Sequence, residues 1–101
     1  MQKRKFKVVM NKENSESYLV EKEGYFINMF DIKIFVYKSI DRLWRATDIE
    51  TGAFFIQGHT FREVKENIYL KFDKYLKFRE TEEYKKMRFK YQKLLRNEEL
   101  K

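Results

Sequence analysis

The strongest structural signal lies in residues 43–70, LWRATDIETGAFFIQGHTFREVKENIYL. Leu43–Ile49 is rich in residues that suit a pleated strand. The next three residues, Glu50-Thr51-Gly52, are typical of a tight turn, because the glycine adopts a positive φ without steric cost. Residues 53–56 then favour a returning antiparallel strand that ends at Gly58. The stretch therefore predicts a β-hairpin.

A helix is predicted directly after this hairpin. Thr60-Phe61-Arg62-Glu63 matches the capping box, in which the threonine hydroxyl and the glutamate carboxylate accept hydrogen bonds from free backbone N–H groups of the first turn. Apolar residues then recur at steps of three and four, which indicates one buried helix face. These residues are Phe61, Val64, Ile68, Phe72 and Tyr75.

The chain before the hairpin predicts more sheet. Lys5–Met10 is β-like, and residues 11–15 form a polar turn. Ser17–Lys22 suits a strand better than a short helix, because Glu23-Gly24 then serves as the turn of a hairpin. Tyr25–Ser39 is the main β signal, and its second half is apolar on both faces, as expected of a central strand. Asp41-Arg42 predicts the next turn.

The tail predicts more helix. The apolar periodicity lapses at Glu80–Glu83, which favours a kink or break over a continuous helix. A second apolar stripe follows, formed by Tyr84, Met87, Tyr91, Leu94 and Leu95. The predicted fold class is α+β: an antiparallel meander of four to six strands followed by one long or two consecutive C-terminal helices. We expect a single domain over residues 1–101, with the sheet in 1–58 and the helices in 60–97.

Composition narrows the class of protein. An aromatic content of 18% argues against a disordered chain. The absence of cysteine excludes a disulfide scaffold, a thiolate metal site and a cysteine nucleophile. No apolar run reaches the length of a signal peptide core or a membrane span. We therefore expect a soluble, cytoplasmic protein.

Positive charge is concentrated at the two ends of the chain. The net charge is +7; residues 1–10 hold four basic and no acidic side chains, and residues 60–101 hold thirteen basic and eight acidic ones. On a helix from Glu82, two sets of cations flank the second apolar stripe, an arrangement that suits phosphate contacts as well as an ordinary solvated surface. The predicted nucleic-acid or partner-binding residues are Lys3, Arg4, Lys5, Lys7, Lys85, Lys86, Arg88, Lys90, Lys93 and Arg96.

Other groups offer weaker functional signals. His59 is the only histidine and has no evident catalytic partner. Asp48 and Glu50 resemble a paired-carboxylate metal site, but they run into a turn and are interpreted as solvated. No Walker A loop, zinc-protease, serine-hydrolase or dinucleotide motif is present, so we expect no enzyme activity, cofactor or metal.

Two apolar groups have alternative interpretations. Trp44, Tyr37 and Phe55 could form a base-stacking platform, although core packing is favoured. Tyr84, Met87, Tyr91 and Leu94 could form the contact of a weak dimer, and a monomer is the other option.

Residues 44–68 also carry a resemblance. Trp44–Asp48, Thr51-Gly52, Gly58-x-Thr60 and Glu63–Ile68 resemble small proteins of phages and other mobile elements from low-GC bacteria. The outline is similar to the C-terminal half of double-stranded-RNA-binding domains, to integrase arm-binding domains and to HicB-type antitoxins. Because unlike families share it, the resemblance implies topology, and no functional residue is carried over from it.

Two functions follow as hypotheses. The first is a small, basic, non-enzymatic protein of phage or mobile-element type that contacts nucleic acid or a nucleoprotein complex through its N-terminal arm and C-terminal helix. The second is a phage-encoded, anti-CRISPR-like inhibitor that binds a host defence nuclease as a protein partner. The sequence alone does not distinguish DNA, RNA and protein as the target.

Overall fold

A computed structural model describes residues 2–13 and 16–100. Five antiparallel strands form a meander in the order β1-β2-β3-β4-β5, and helices follow, which confirms the predicted α+β class. The described elements are β1 (Arg4–Asn11), β2 (Ser17–Met29), β3 (Ile32–Lys38), β4 (Trp44–Asp48), β5 (Phe54–Gly58), α1 (Phe61–Leu70), α2 (Phe72–Arg79) and α3 (Glu82–Glu99). Of the polar turn predicted at 11–15, Asn14 and Ser15 lie outside the described residues.

The hairpin predicted at Glu23-Gly24 is wrong, because β2 runs straight through these residues. The first part of β2 pairs with β1 as far as Gly24, and the second part pairs with β3 from Tyr25 onward. A Cβ at Gly24 would overlap the backbone carbonyl oxygen of Val36 and the Cβ of Tyr37. The glycine is thus needed for close approach between strands rather than for a turn.

The turn between β2 and β3 lies at Phe30-Asp31, inside the segment 25–39 that the sequence predicts as one strand. Both residues have positive φ angles, 51° and 65°, as a two-residue type I′ hairpin turn requires. Asparagine and glycine usually mark such turns, and a phenylalanine gives no signal for one. The predicted turns at Asp41-Arg42 and at Gly52 are confirmed, with positive φ at Arg42 (71°) and Gly52 (69°).

One face of the sheet packs against α1 and α2. Inward residues of β2 to β5 meet Val64 and Ile68 of α1 and Phe72 and Tyr75 of α2 in one apolar cluster. These four residues are at most 7% exposed, which confirms that the predicted apolar stripe is buried. The stripe lies on two helices rather than one, and its first residue, Phe61, is only partly buried.

The other face of the sheet is covered by the β1–β2 ribbon. Phe35 and Tyr37 of β3 point to this face and pack with Val8 of β1, while Ile34 and Val36 point to the helices. β3 therefore has both faces buried, as the sequence predicts. The backbone N–H of Val9 donates to the carbonyl of Gly52 at 2.8 Å, so the sheet curls until β1 meets the β4–β5 turn.

Polar caps set the helix boundaries. The Thr60 hydroxyl accepts from the Glu63 N–H at 3.0 Å, while the Glu63 carboxylate accepts from the His59 N–H at 3.2 Å rather than from the cap residue itself. The chain leaves helical geometry at Lys71, which separates α1 from α2. It breaks again at Glu80-Thr81, within the predicted junction, and the Thr81 hydroxyl caps α3. No described helix combines the length and the apolar character that crossing a bilayer requires.

Candidate functional site

The carboxylate of Asp48, at the end of β4, accepts hydrogen bonds from side chains of both α2 and α3. The Asp48 side chain is only 4% exposed, so the predicted solvated turn is wrong. Its carboxylate accepts from the hydroxyl of Tyr75 on α2, from the hydroxyl of Tyr84 on α3 at 2.9 and 3.0 Å, and from the Thr51 N–H at 2.9 Å. A buried carboxylate needs such donors, because an unpaired buried charge is very costly.

Glu50 adds a second, half-exposed acceptor beside Asp48. It pairs with Arg79 of α2 at 2.5 Å, accepts from the Tyr84 hydroxyl at 3.1 Å and lies 3.8 Å from Arg88 of α3. The β4–β5 turn is therefore connected to both helices through two carboxylates. We name Asp48, Glu50, Tyr75, Arg79 and Tyr84 the carboxylate cluster.

The surroundings of the carboxylate cluster change the pKa of its two tyrosines. Burial, together with the charge and hydrogen bonds of Asp48, raises the pKa of Tyr75 and of Tyr84 well above the ordinary value near 10. Both hydroxyls thus stay protonated and keep donating to the carboxylates. Within residues 2–13 and 16–100, no group of three or more histidine, aspartate or glutamate side chains is placed to hold a metal ion.

The apolar stripe of α3 packs on the chain itself. Tyr84 is 2% exposed and Tyr91 is 4% exposed, so these two residues of the predicted dimer contact are already covered. The Tyr91 hydroxyl donates to the Lys7 carbonyl at 2.5 Å, and a Cβ at Gly52 would overlap the Tyr91 ring. Met87 and Leu94, half-buried, line a groove of about 290 Å³ between α3, β1 and the β4–β5 turn.

The opposite side of α3 is a cationic surface. Tyr84 and Tyr91 fix the inward side, and at 100° per residue the outward side carries Lys86, Phe89, Lys93 and Arg96, with Glu82 on the same side in the first turn. Lys85 and Lys90 lie at the two edges of this side, and Lys90 also lines the groove with Met87 and Leu94. We name Lys85, Lys86, Phe89, Lys90, Lys93 and Arg96 the outer α3 face. Lys86, Lys90, Lys93 and Arg96 form no ion pair with any residue that the structure describes, whereas Lys85 pairs with Glu82 at 3.3 Å. Arg88 is half-buried and directed at Glu50.

The predicted N-terminal arm is mostly an edge strand with acidic neighbours. Lys5 lies opposite Glu23 and Lys7 lies opposite Glu21 in the β1–β2 register, and such cross-strand pairs of opposite charge attract. Lys7 also pairs with Glu98 of α3 at 3.2 Å. Lys3 and Arg4 are exposed and, in the described part of the chain, have no ion pair.

The two basic segments do not merge into one surface. The bond from Tyr91 to Lys7 places β1 beneath the inward side of α3, while Lys86, Lys93 and Arg96 lie on its outward side and Lys90 lies at the edge. The outer α3 face thus holds the larger group of cations, and Lys3 and Arg4 are a separate, smaller group.

The proposed base-stacking platform is absent, and core packing accounts for its three aromatics. Tyr37 is 1% exposed, Trp44 packs edge-on against Phe61 at 5.4 Å, and Phe55 stacks on the Tyr75 ring at 4.1 Å. His59 is exposed beside the α1 cap.

Different aromatic residues are exposed instead. Phe89 of α3 is 63% exposed, and Phe30 and Tyr69 are 60% and 65% exposed. Phe89 is absent from the predicted binding residues, although its position opposite the stripe of Tyr84 and Tyr91 indicates its exposure.

Compared with known proteins, the chain matches no family model, no curated protein and no solved structure.

Proposed function

We propose that this protein is a non-enzymatic nucleic-acid-binding protein that contacts phosphates through the outer α3 face. The observation that carries the proposal is the set of four exposed cations on α3 that form no ion pair with any residue the structure describes: Lys86, Lys90, Lys93 and Arg96. A cation that forms no ion pair within the protein can neutralise a phosphate without first breaking one. Lys3 and Arg4 supply a second, smaller group of phosphate contacts.

The spacing of the four cations suits a polyanion. The ten residue steps from Lys86 to Arg96 rise about 15 Å along the helix axis. Phosphates in one strand of a duplex are about 3.4 Å apart along the axis, so the surface spans several of them. Because Tyr84 and Tyr91 hold α3 against the sheet, the backbone loses little freedom on binding.

Charge reversal on two surfaces tests the proposal. We expect Lys86→Glu with Lys93→Glu to weaken binding of a labelled oligonucleotide at least ten-fold in fluorescence anisotropy. The matched control is Lys74→Glu with Lys77→Glu on exposed positions of α2, which changes the net charge by the same amount. The control should change binding much less, since only local cations contact phosphates.

Salt dependence gives an independent measure of the same surface. Four phosphate contacts predict a slope of log K against log salt of about −3 for a single strand and nearer −4 for a duplex. Equal weakening by the two charge reversals would show that total charge, rather than the outer α3 face, attracts the polyanion. A wild-type protein that binds no oligonucleotide at low salt would refute the proposal.

A second candidate is the phage-encoded, anti-CRISPR-like inhibitor that binds a host nuclease. The observation that favours it is an exposed aromatic pair, Phe30 and Tyr69, whose ring centroids are 5.7 Å apart. Exposed aromatic residues frequently dominate protein interfaces. Purification from a host lysate with and without nuclease treatment separates the two functions, because a protein partner persists after nucleic acid is digested.

A further inference from the structure

Phe89 lies in the middle of the outer α3 face and contributes nothing to the core. Its side chain is 63% exposed. Its ring contact is with the Lys93 ammonium, 5.5 Å from the ring centroid. Lys85 and Lys86 lie about one turn before it and Lys93 one turn after it, so cations adjoin the ring in both directions along the helix.

We propose that the outer α3 face binds single-stranded nucleic acid, with Phe89 stacked on an unpaired base and the adjoining lysines on the flanking phosphates. This inference rests on the proposed nucleic-acid-binding function and adds the strandedness of the ligand. It commits to a strand, of RNA or DNA, whose bases are free.

The phenyl ring of Phe89 favours a single strand over a duplex as the ligand. In a duplex, each base face is already covered by its neighbours, whereas an unpaired base offers its π-face to an aromatic side chain. A helix that reads a duplex places hydrogen-bond donors against base edges. The centre of the outer α3 face is a phenyl group, which has no donor to offer.

Charge complementarity supports the same ligand. Lys86, Lys90, Lys93 and Arg96 have no intramolecular ion pairs among the described residues, so they are available to phosphates on either side of a stacked base. Sites that combine a cationic track with aromatic side chains bind single strands with little sequence preference. We therefore expect similar affinity for different unstructured sequences of one length.

The experiment compares single strands with a duplex across aromatic variants. Labelled oligonucleotides of about 12 nucleotides, oligo-dT, oligo-U and a mixed-sequence duplex, are titrated by fluorescence anisotropy. We expect Phe89→Ala to weaken single-strand binding about ten-fold and duplex binding less than two-fold. Phe89→Leu should behave like Phe89→Ala, because leucine keeps an apolar side chain but has no aromatic face.

Tyr69→Ala is the matched control, since Tyr69 is an equally exposed aromatic on another helix. It should leave both affinities unchanged. Phe89 is exposed, so its variants should keep the wild-type circular dichroism spectrum. Binding of either the oligo-U or the oligo-dT strand supports the proposal, and the ratio of the two affinities identifies the preferred sugar.

The outcomes distinguish this inference from the proposed function. If Phe89→Ala changes neither affinity, or weakens both equally, while Lys86→Glu with Lys93→Glu still abolishes binding, single-strand stacking is overturned and phosphate binding stands. If the wild-type protein binds none of the oligonucleotides, both are overturned.

Discussion

Replacing the buried Asp48 by alanine should destabilise the protein more than replacing an exposed carboxylate such as Asp41. The substitution removes the acceptor for the hydroxyls of Tyr75 and Tyr84 and for the N–H of Thr51. The two tyrosines are 5% and 2% exposed, so water does not readily replace the lost acceptor. Each buried donor left without a partner costs about 1–3 kcal/mol.

The structure allows the total to be bounded. The Tyr84 hydroxyl keeps Glu50 as an alternative acceptor at 3.1 Å, so its loss is only partial. Two donors left without a partner, at about 1–3 kcal/mol each, and a smaller loss for Tyr84 give an expected decrease of about 2–7 kcal/mol in the free energy of unfolding. Natural domains have a total of about 5–15 kcal/mol, so Asp48→Ala should leave a marginally stable protein.

Urea denaturation followed by circular dichroism measures this loss. Asp41→Ala is the matched control: Asp41 also accepts two hydrogen bonds, from Arg45 and from the Leu43 N–H, but its side chain is 43% exposed. We expect the control to lose only about 1–2 kcal/mol, because Arg45, whose side chain is 17% exposed, keeps the Ser39 hydroxyl as an acceptor at 2.9 Å.

A mutant cycle makes the reasoning refutable. Tyr75→Phe with Tyr84→Phe removes the two orphaned hydroxyls, so Asp48→Ala should cost markedly less in that background than in the wild-type protein. If Asp48→Ala costs as little as Asp41→Ala, or if its cost is the same in both backgrounds, the carboxylate cluster does not hold the helices as described.

Two further predictions concern stability at alkaline pH and Gly24, where β2 passes from pairing with β1 to pairing with β3. Burial raises the pKa of Tyr91 to about 12, above the value near 10 expected in the unfolded chain. The unfolded state therefore binds fewer protons than the folded state above pH 10. The free energy of unfolding should fall as pH rises from 10 to 12. Tyr91→Phe should reduce this fall, which urea denaturation at pH 8 and at pH 11 measures. If the wild-type protein and the variant lose the same free energy of unfolding between the two pH values, burial does not raise the pKa of Tyr91. Gly24→Ala should cost about 2–3 kcal/mol in the same assay, because its Cβ overlaps the Val36 carbonyl and the strand must shift. An unchanged stability at Gly24→Ala would show that the strands have room to part.

Local signals predicted the parts of the fold that depend on neighbours in sequence. The β4–β5 hairpin needs a residue with positive φ at Gly52, and the α1 start needs the Thr60 cap. The break before α3 follows from a lapse in apolar periodicity. In each case the residues that determine the feature lie within a few positions of it, so a single window of sequence contains the information.

Glycine shows where such local reasoning fails. Gly24 and Gly52 both suggest a turn, yet only Gly52 has a positive φ. At Gly24 the requirement comes from Val36 and Tyr37 on the neighbouring strand, which no local pattern reveals. Conversely, Phe30-Asp31 forms a turn without glycine, because the pairing of β2 with β3 on either side imposes it.

Asp48 shows the same limit for the candidate site. Its tyrosine donors lie 27 and 36 residues further along the chain, so the sequence near Asp48 resembles an ordinary solvated turn. The cations of α3 were predictable from helical spacing. Arg88 pairs with Glu50 because of how α3 docks, Lys85 pairs with Glu82 on its own helix, and the other four form no ion pair with a described residue.

The docking of α3 explains why its two sides differ in chemistry. Tyr84, Arg88 and Tyr91 all contact the sheet or its turns, and these contacts fix both the position and the rotation of the helix. A helix fixed in this way presents Phe89 and its neighbouring cations without further ordering of the backbone, which would lower the entropic cost of binding the proposed single strand. The carboxylate cluster and the outer α3 face are therefore linked, because the first sets the orientation in which the second would meet the proposed ligand.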